Sequence, residues 1–438
     1  MKKIVLLLLL LLPIFSLADF LDLVQTQLEK DSSYLSAVMK YKEAEFNRAR
    51  NKNFFIPYVS TSSGANRLSL NTDFEDYTLS IPLSITFQNI AGFDLSISNT
   101  WSYSSKKEEW SDAGWALTVS RELFSNFDIT DLENEKNFAL ASWSLIDSRN
   151  KVFVNLADDI FNYHYYSKKM EITKQKIEIL EDKFYSLQKS YEAGTASQED
   201  ILQIQSSIYQ MTNQLNQATQ NLTSALTEYS TDTLNAMLAC LEKITANLPS
   251  QQEAENLVVN RLDLASQMLA VEIAKRRNER SYQQWLPHPT FSFAVKQDED
   301  ASSGFSLSLG FGFNYNIIDR GERNYNYSNV QDVYKLQQRV FEEQLDNSKK
   351  SVQKAYLLIK IAESSKKVAE LNLQIMKMEY ERLTNARSFV SKSDLESARL
   401  DFEDAEVELL KTNYDLLTSK LSLLQLLGFD LVQLAGGK

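Results

Sequence analysis

Two stretches of the chain resemble each other: YEAGTASQEDILQIQSSIYQ at residues 191–210 and NARSFVSKSDLESARLDFED at residues 385–404. Their spacing indicates how the chain is organised. They lie 194 positions apart, so that Asp200 stands opposite Asp394. In both stretches a serine precedes this acid by three residues, which is a common start of a helix. The two stretches therefore indicate two related helix starts, and a tandem duplication of half the chain.

The helices that follow these starts keep one heptad frame. Apolar residues recur at spacings of three and four, which is the pattern of a coiled-coil seam. The seam contains Ile201, Ile208, Leu215 and Leu222 in the first half and, 194 positions further on, Leu395, Phe402, Leu409 and Leu416 in the second. Because the frame is kept without a gap, the sequence predicts two equivalent halves.

Each half has the same order of predicted elements: a helix, an extended segment, a very long helix and, after a break, the heptad helix. The first half is 19–250, with an opening helix at 20–52, an extended segment at about 57–124 and coiled-coil helices at about 128–245. The second half is 251–438, with the equivalent elements at 252–284, about 287–318 and about 321–427. A helix of about 65 residues would be roughly 100 Å long, more than a globular core needs.

The extended segments alternate with a period of two. In GFSLSLGFGFNY, residues 304–315, Phe and Leu share one face with Tyr315, while Ser, Gly and Asn share the other. Strands with one apolar and one hydroxyl-rich face are typical of membrane β-barrels, where lipid lies on one side and water on the other. The sequence thus predicts a mainly helical protein with a membrane β-region.

The first half carries 36 extra residues, because the offset between the halves falls from 230 at the Pro57/Pro287 pair to 194 further along. The candidate strands are 57–70, 77–87, 93–103 and 113–123 in the first half and 290–297 and 305–315 in the second. The chain then supplies six membrane strands, or four if one hairpin is held outside the membrane plane. Pro82 favours the second alternative, since proline disrupts a central strand.

The composition and the N-terminal segment exclude several classes of function. Residues 1–18 have the charged start, apolar core and Ser-Leu-Ala end of a secretory signal peptide. The sequence holds a single cysteine, Cys240, so disulfides do not stabilise the exported chain. A net charge of −12 argues against a nucleic-acid partner, whose phosphates require a basic surface. No set of nucleophile, histidine and acid suggests an enzyme, and no motif calls for a cofactor.

On these features the sequence resembles the TolC family of outer-membrane channels. The resemblance rests on the order of the elements, on Tyr191-x-x-Gly194-x-x-Ser197-x-x-Asp200 before a heptad helix, and on NYNIIDRGERNYNYSNVQ (314–331) between strand and helix. It implies a homotrimer with a shared transmembrane β-barrel and an α-helical barrel crossing the periplasm. It further implies the exit duct of a tripartite efflux or type I secretion system, with a periplasmic adaptor and an inner-membrane pump of the RND, ABC or MFS class.

The resemblance also implies roles at the helix break. Asp200 would help to tether the closed entrance, and Asp394 would join an acidic ring there. Asn385, Ser388, Val390 and Ser397 depart from the family pattern, so we expect different tethers, with Arg387 or Arg382 as carboxylate partner.

Simpler structural roles remain open for these residues. Gly194 suits a helix C-terminus and Ser197 a helix cap, and Asp394 can serve as a capping residue alone. His164 is expected on a helix surface, and Cys240 in the core. The alternative function is an exported coiled-coil spacer or adhesin, which would need no lipid-facing strands.

Overall fold

The computed structural model describes residues 20–52, 55–61, 67–70, 77–90, 93–122, 124, 126–224, 227–297, 304–315, 317–387 and 389–437. The predicted signal peptide and Ser388 lie outside these residues. The chain divides into two compact units. Unit 1 comprises the chain up to Met39, Ser142–Arg261 and Leu345–Lys438, and unit 2 comprises Lys40–Ala141 and Leu262–Gln344.

Helices make up most of the described chain. They are α1 (20–28), α2 (Ser32–Lys52), α3 (Phe127–Glu192), α4 (Gln198–Ser224), α5 (Thr231–Thr245), α6 (Gln251–Leu257), α7 (Leu262–Glu279), α8 (Glu322–Asn385), α9 (Lys392–Leu426) and α10 (Leu431–Ala435), with 3₁₀ turns at Val258–Asn260 and Ser281–Trp285. The two very long helices, of 66 and 64 residues, begin within one residue of the predicted starts at about 128 and about 321. Within the described residues, none of the helices has the length and apolar content needed to span a membrane.

The opening helix of each half is interrupted, which corrects the prediction of continuous helices at 20–52 and 252–284. In the first half the Asp31 carboxylate accepts a hydrogen bond of 2.6 Å from the Tyr34 backbone and starts α2. In the second half Arg261 is extended (ψ 140°) between the 3₁₀ turn and α7. These two breaks lie 230 positions apart, the same offset as the two prolines, so the interruption belongs to the repeat.

The first heptad helix is also shorter than predicted, whereas the second is continuous. The first is split into α4 and α5, although its apolar frame continues towards Tyr229. Ser230 is extended, and its side chain accepts a hydrogen bond from the Thr233 backbone, which caps a new helix. Local capping thus starts a new helix where the heptad pattern alone predicts continuation of the first.

The core of unit 1 surrounds α9. On one face of α9, Tyr414, Leu417, Leu421 and Leu424 belong to a cluster with residues of α3 and α5. On the other face, Leu416 and Leu423 join a second cluster with Val352 and Ile359 of α8. The seam residue Leu416 therefore faces α8 within one chain. Asn150 holds the C-terminal segment through two hydrogen bonds of 2.8 Å. Its side-chain Nδ2 donates to the Phe429 carbonyl, and its Oδ1 accepts from the Leu431 N–H.

Unit 2 contains one antiparallel sheet. Its described strands are β1 (Tyr58–Ser60), β2 (Arg67–Leu70), β3 (Tyr77–Ile90), β4 (Phe93–Ser104), β5 (Glu109–Asp112), β6 (Ala116–Glu122), β7 (His288–Gln297) and β8 (Phe305–Asn314). The order is β1-β3-β4-β6-β7-β8, with β2 also on β3 and β5 also on β4. β1 and β2 share one position beside β3, and β5 and β6 share one beside β4, so the eight strands fill six positions.

The extra residues of the first half correspond to the β3–β4 hairpin. The 230 offset carries β1 onto β7, and the 194 offset carries β6 onto the second half of β8, which leaves β3 and β4 without counterparts. The hairpin lies inside the sheet, between β1 and β6. Pro82 is accommodated there because the ladders of β1 and β2 stop on either side of it, at Ser84 and Ser80.

Candidate functional site

The sheet has two chemically distinct faces that continue from strand to strand. One row of aligned residues across five strands is Ile85, Ile97, Leu117, Val295 and Leu307. The adjacent row, on the opposite face, is Thr86, Ser96, Thr118, Ala294 and Ser308. Asn99 interrupts the apolar face opposite Leu83 and is buried. The strand register places apolar residues beside apolar ones and hydroxyl-bearing residues beside hydroxyl-bearing ones. The alternation seen in single strands is therefore a property of the whole sheet.

Aromatic side chains border the apolar face at both ends. At the end distant from α3, Tyr103 contacts Tyr77 and Trp110, with ring centroids 5.9 and 5.4 Å apart. At the α3 end, Phe291 and Phe311 are 4.9 Å apart, and Phe93 lies under the Arg121 guanidinium. Tyr103 and Phe93 are ten residues apart on β4. That separation is about 33 Å along a strand and about 25 Å along a membrane normal at the usual tilt.

Within the predicted strand-to-helix junction at 314–331, residues 317–321 form a compact polar turn, and α8 begins at Glu322. Asp319 accepts hydrogen bonds from the backbones of Gly321 (3.2 Å) and Arg323 (3.1 Å), and it pairs with the Arg323 side chain at 3.2 Å. These donors lower the pKa of Asp319, with the Arg323 backbone as the first cause. Gly321 has a φ of +89°, which a side chain would disfavour. The turn connects β8 to α8.

The turn between α3 and α4 satisfies its polar groups locally. Gly194 has a φ of +75°, its N–H bonds the Tyr191 carbonyl, and Thr195 N–H bonds the Ser190 carbonyl, which is a Schellman motif. A capping box follows: Asp200 N–H donates to Ser197 Oγ at 3.1 Å, and Ser197 N–H donates to Asp200 Oδ2 at 3.0 Å. Contacts with Ser197 hold the pKa of Asp200 below its ordinary value.

The turn between α8 and α9 differs from this pattern. Asp394 N–H donates to Ser391 Oγ at 3.0 Å, and the Ser391 hydroxyl donates to Asp394 Oδ2 at 2.7 Å. The other carboxylate oxygen, Oδ1, accepts a hydrogen bond of 3.1 Å from Lys183 Nζ on α3. Ser391 first, and then Lys183, lower the pKa of Asp394.

The two arginines considered as partners for Asp394 lie elsewhere. Arg382 pairs with Glu379 of its own helix at 2.6 Å. Arg387 has no ion pair within the described part of the chain. The partner within the chain is thus Lys183, which was not among the predicted partners.

Lys183 is the last of three lysines spaced by seven residues on α3. Lys169 pairs with Asp404 at 2.6 Å and Glu408 at 2.7 Å. Lys176 pairs with Asp401 at 2.9 Å and Asp404 at 3.3 Å. With Lys183–Asp394, these pairs form an antiparallel ladder between α3 and α9, which we call the lysine ladder. The heptad spacing of the lysines was the available sequence signal.

A row of apolar side chains on α8 is exposed in the single chain. It faces away from α9, and its members follow one another at spacings of three or four residues, with one step of seven from Ile361 to Val368. Their side chains are 52–63% exposed. Its members are Leu357, Ile361, Val368, Leu371, Ile375 and Met378. We call it the α8 stripe.

His164 and Cys240 have structural environments. His164 Nε2 lies 3.0 Å from the Ser230 carbonyl, where a donated hydrogen bond links α3 to the start of α5, and burial lowers its pKa. Cys240 is fully buried in the unit 1 core, and this burial raises its pKa to about 11.

Comparison with known proteins identifies the fold. No protein-family model matches the chain, and no curated protein matches it by sequence. The Campylobacter jejuni CmeC outer membrane channel matches with a TM-score of 0.58 at 15% identity, over 94% of this chain and 85% of that one. The outer membrane protein VceC of Vibrio cholerae matches with a TM-score of 0.58 at 12% identity, over 94% of this chain and 96% of that one. The open-state MtrE outer membrane channel of Neisseria gonorrhoeae matches with a TM-score of 0.53 at 14% identity, over 94% of this chain and 89% of that one.

The chain therefore has the fold of these outer-membrane channels. The resemblance to TolC-type channels inferred from the two halves, the helix-break motif and the strand-to-helix junction is confirmed at the level of the fold.

Proposed function

We propose that the protein is one subunit of an outer-membrane channel, the exit duct for substrates delivered from the inner membrane. The observation that carries the proposal is the sheet, with an apolar face, a hydroxyl-rich face and aromatic borders about 25 Å apart. Such a surface suits a wall between lipid and water. A coiled-coil spacer or adhesin, the alternative function, would have no use for it.

A homotrimer accounts for the surfaces that a single chain leaves uncovered. Among the described strands, β1 and β8 each have a neighbour on one side only. Unpaired strand edges are not tolerated in lipid, and cyclic symmetry would pair β8 of one protomer with β1 and β2 of the next. The same symmetry would offer the α8 stripe a partner helix.

The barrel would then contain eighteen strands instead of twelve. The six strand positions belong to one hydrogen-bonded sheet, and the β3–β4 hairpin has the same two faces as its neighbours. Barrel diameter rises roughly in proportion to strand number, so this barrel would be about half as wide again as one of twelve strands. Its lumen would be lined mainly by Ser, Thr and Gly.

The remaining parts of the proposal are supported by the likeness to outer-membrane channels. Unit 1 would form an α-helical tunnel in the periplasm, and its helix turns would dock on a periplasmic adaptor and an inner-membrane pump. The system would be a tripartite efflux or type I secretion assembly. The protein would act as a passive duct and not as an enzyme.

Site-directed labelling of the β3–β4 hairpin tests the membrane placement. Single cysteines would be introduced in the Cys240→Ala background, so that the buried native thiol does not contribute. The lipid-face set is Leu79, Leu83, Leu95 and Ile97, and the lumen-face set is Ser80, Ser84, Ser96 and Ser98.

We expect the first set to react with a lipid-soluble maleimide and the second with a membrane-impermeant one. Equal reaction of both sets from water would place the hairpin outside the membrane and leave twelve strands. Labelling of β7 and β8 from water on both faces would refute the barrel itself.

A further inference from the structure

We infer that Lys183 sets the charge of the channel entrance by neutralising Asp394. The inference rests on the proposed function and identifies a selectivity-determining residue in it. The observation behind it is the contact between Lys183 Nζ and Asp394 Oδ1, which lie 3.1 Å apart and form the last pair of the lysine ladder.

The contact is part of a regular structure, which separates it from an incidental surface pair. The three lysines occupy equivalent heptad positions on α3, and Asp394, Asp401 and Glu408 are spaced by seven residues on α9. The two helices are antiparallel. Each step of seven residues towards the C-terminus of α3 therefore corresponds to a step of seven residues towards the N-terminus of α9. The register that forms the less exposed pairs at Lys169 and Lys176 therefore also brings Lys183 to Asp394.

The position of the carboxylate is fixed from its own side as well. The Ser391 hydroxyl donates to Asp394 Oδ2, while Asp394 N–H donates to Ser391 Oγ. Oδ1 is left for Lys183. The carboxylate is thus oriented before the lysine approaches, which reduces the side-chain entropy lost on pairing.

The electrostatic consequence follows from symmetry. Three uncompensated Asp394 carboxylates around one axis would concentrate negative potential and attract multivalent cations. Three Lys183–Asp394 pairs carry no net charge. The side chains of the pair are 36% and 55% exposed in the single chain, so both ions contact solvent, and at the proposed entrance their charge would act on passing ions.

Planar-bilayer recordings of the purified trimer test this assignment. The variants are Lys183→Met, Asp394→Asn and the two combined. Lys189→Met is the matched control, because Lys189 lies near the same end of α3, over the Tyr185 ring, and contacts no carboxylate among the described residues. The first readout is the K⁺/Cl⁻ permeability ratio. The second is the concentration of hexamminecobalt(III) that blocks half of the current when it is added on the side of the bilayer where the α3–α4 and α8–α9 turns lie.

We expect Lys183→Met to raise the permeability ratio severalfold and to lower the half-blocking concentration about tenfold, because it exposes three carboxylates. The double variant should return to wild-type values, since both partners are then neutral, and the control should match the wild type.

Two results would overturn the assignment while leaving the channel intact. One is an unchanged Lys183→Met channel, and the other is a Lys189→Met channel that shifts as strongly. Absence of conductance in every preparation, the wild type included, would instead overturn the proposed function.

Discussion

The α8 stripe provides the sharpest test of trimer assembly, through the substitution Ile361→Ala. Ile361 is 61% exposed in the single chain. Full burial of such a side chain contributes about 1.5–3 kcal/mol, so a partner helix would gain about 1–2 kcal/mol from the exposed part. Removing most of that at three equivalent interfaces costs about 3–5 kcal/mol per trimer, which corresponds to a rise of about a hundredfold to several thousandfold in its dissociation constant.

The assay is the fraction of trimer in detergent, measured by mass photometry across a dilution series. Ile361→Asp should abolish the trimer, because an unpaired carboxylate in a buried seam costs several kcal/mol more. Gln374→Asp is the matched control, since it adds the same charge to α8 beside the stripe. Wild-type trimer stability for Ile361→Asp would show that the stripe faces water, and equal loss for Gln374→Asp would show that added charge alone disrupts assembly.

Two further predictions concern the packing of unit 1. Leu215→Asp and Leu409→Asp place a charge at equivalent seam positions and should each reduce the heat-resistant trimer on gels; a resistant trimer with either would mean that the seam is not buried. Tyr414→Phe removes the 2.6 Å hydrogen bond from the Tyr414 hydroxyl to Asp158. Burial already raises the pKa of Asp158, and loss of this donor raises it further, so the variant should be destabilised by about 1–2 kcal/mol at neutral pH. The loss should shrink as acidification protonates the carboxyl; equal melting-temperature shifts at pH 5 and pH 8 would contradict this reasoning.

Regular patterns in the sequence predicted the regular parts of the fold. The heptad frame located α9 and the start of α4, and the period of two located β3, β4, β7 and β8. Those patterns record which side chains are buried, and burial follows the repeat of the element. The break before Ser230 was missed because it depends on a single cap, to which a heptad frame is insensitive.

Contacts between distant segments were harder to predict than the elements themselves. Arg382 and Arg387 were considered for Asp394 because they are close in sequence, yet the partner lies more than 200 residues away on α3. Which lysine meets which acid depends on the register of two antiparallel helices, and this register emerges only when α3 and α9 pack. The position of β3 and β4 inside the sheet was open for the same reason.

The two halves have diverged in their ion pairs, and this bears on how an assembled tunnel would open. The 194 offset carries Lys183 onto Lys377 but Lys169 and Lys176 onto Glu363 and Glu370, so α8 has no lysine ladder. Asp200 satisfies its carboxylate within its own turn, whereas Asp394 reaches another helix. In a threefold assembly the α3/α9 interfaces would be held by charge pairs, and the equivalent interfaces of α8 with a neighbouring protomer would lack them. We therefore expect opening to separate protomers along α8 and to leave α3 and α9 together.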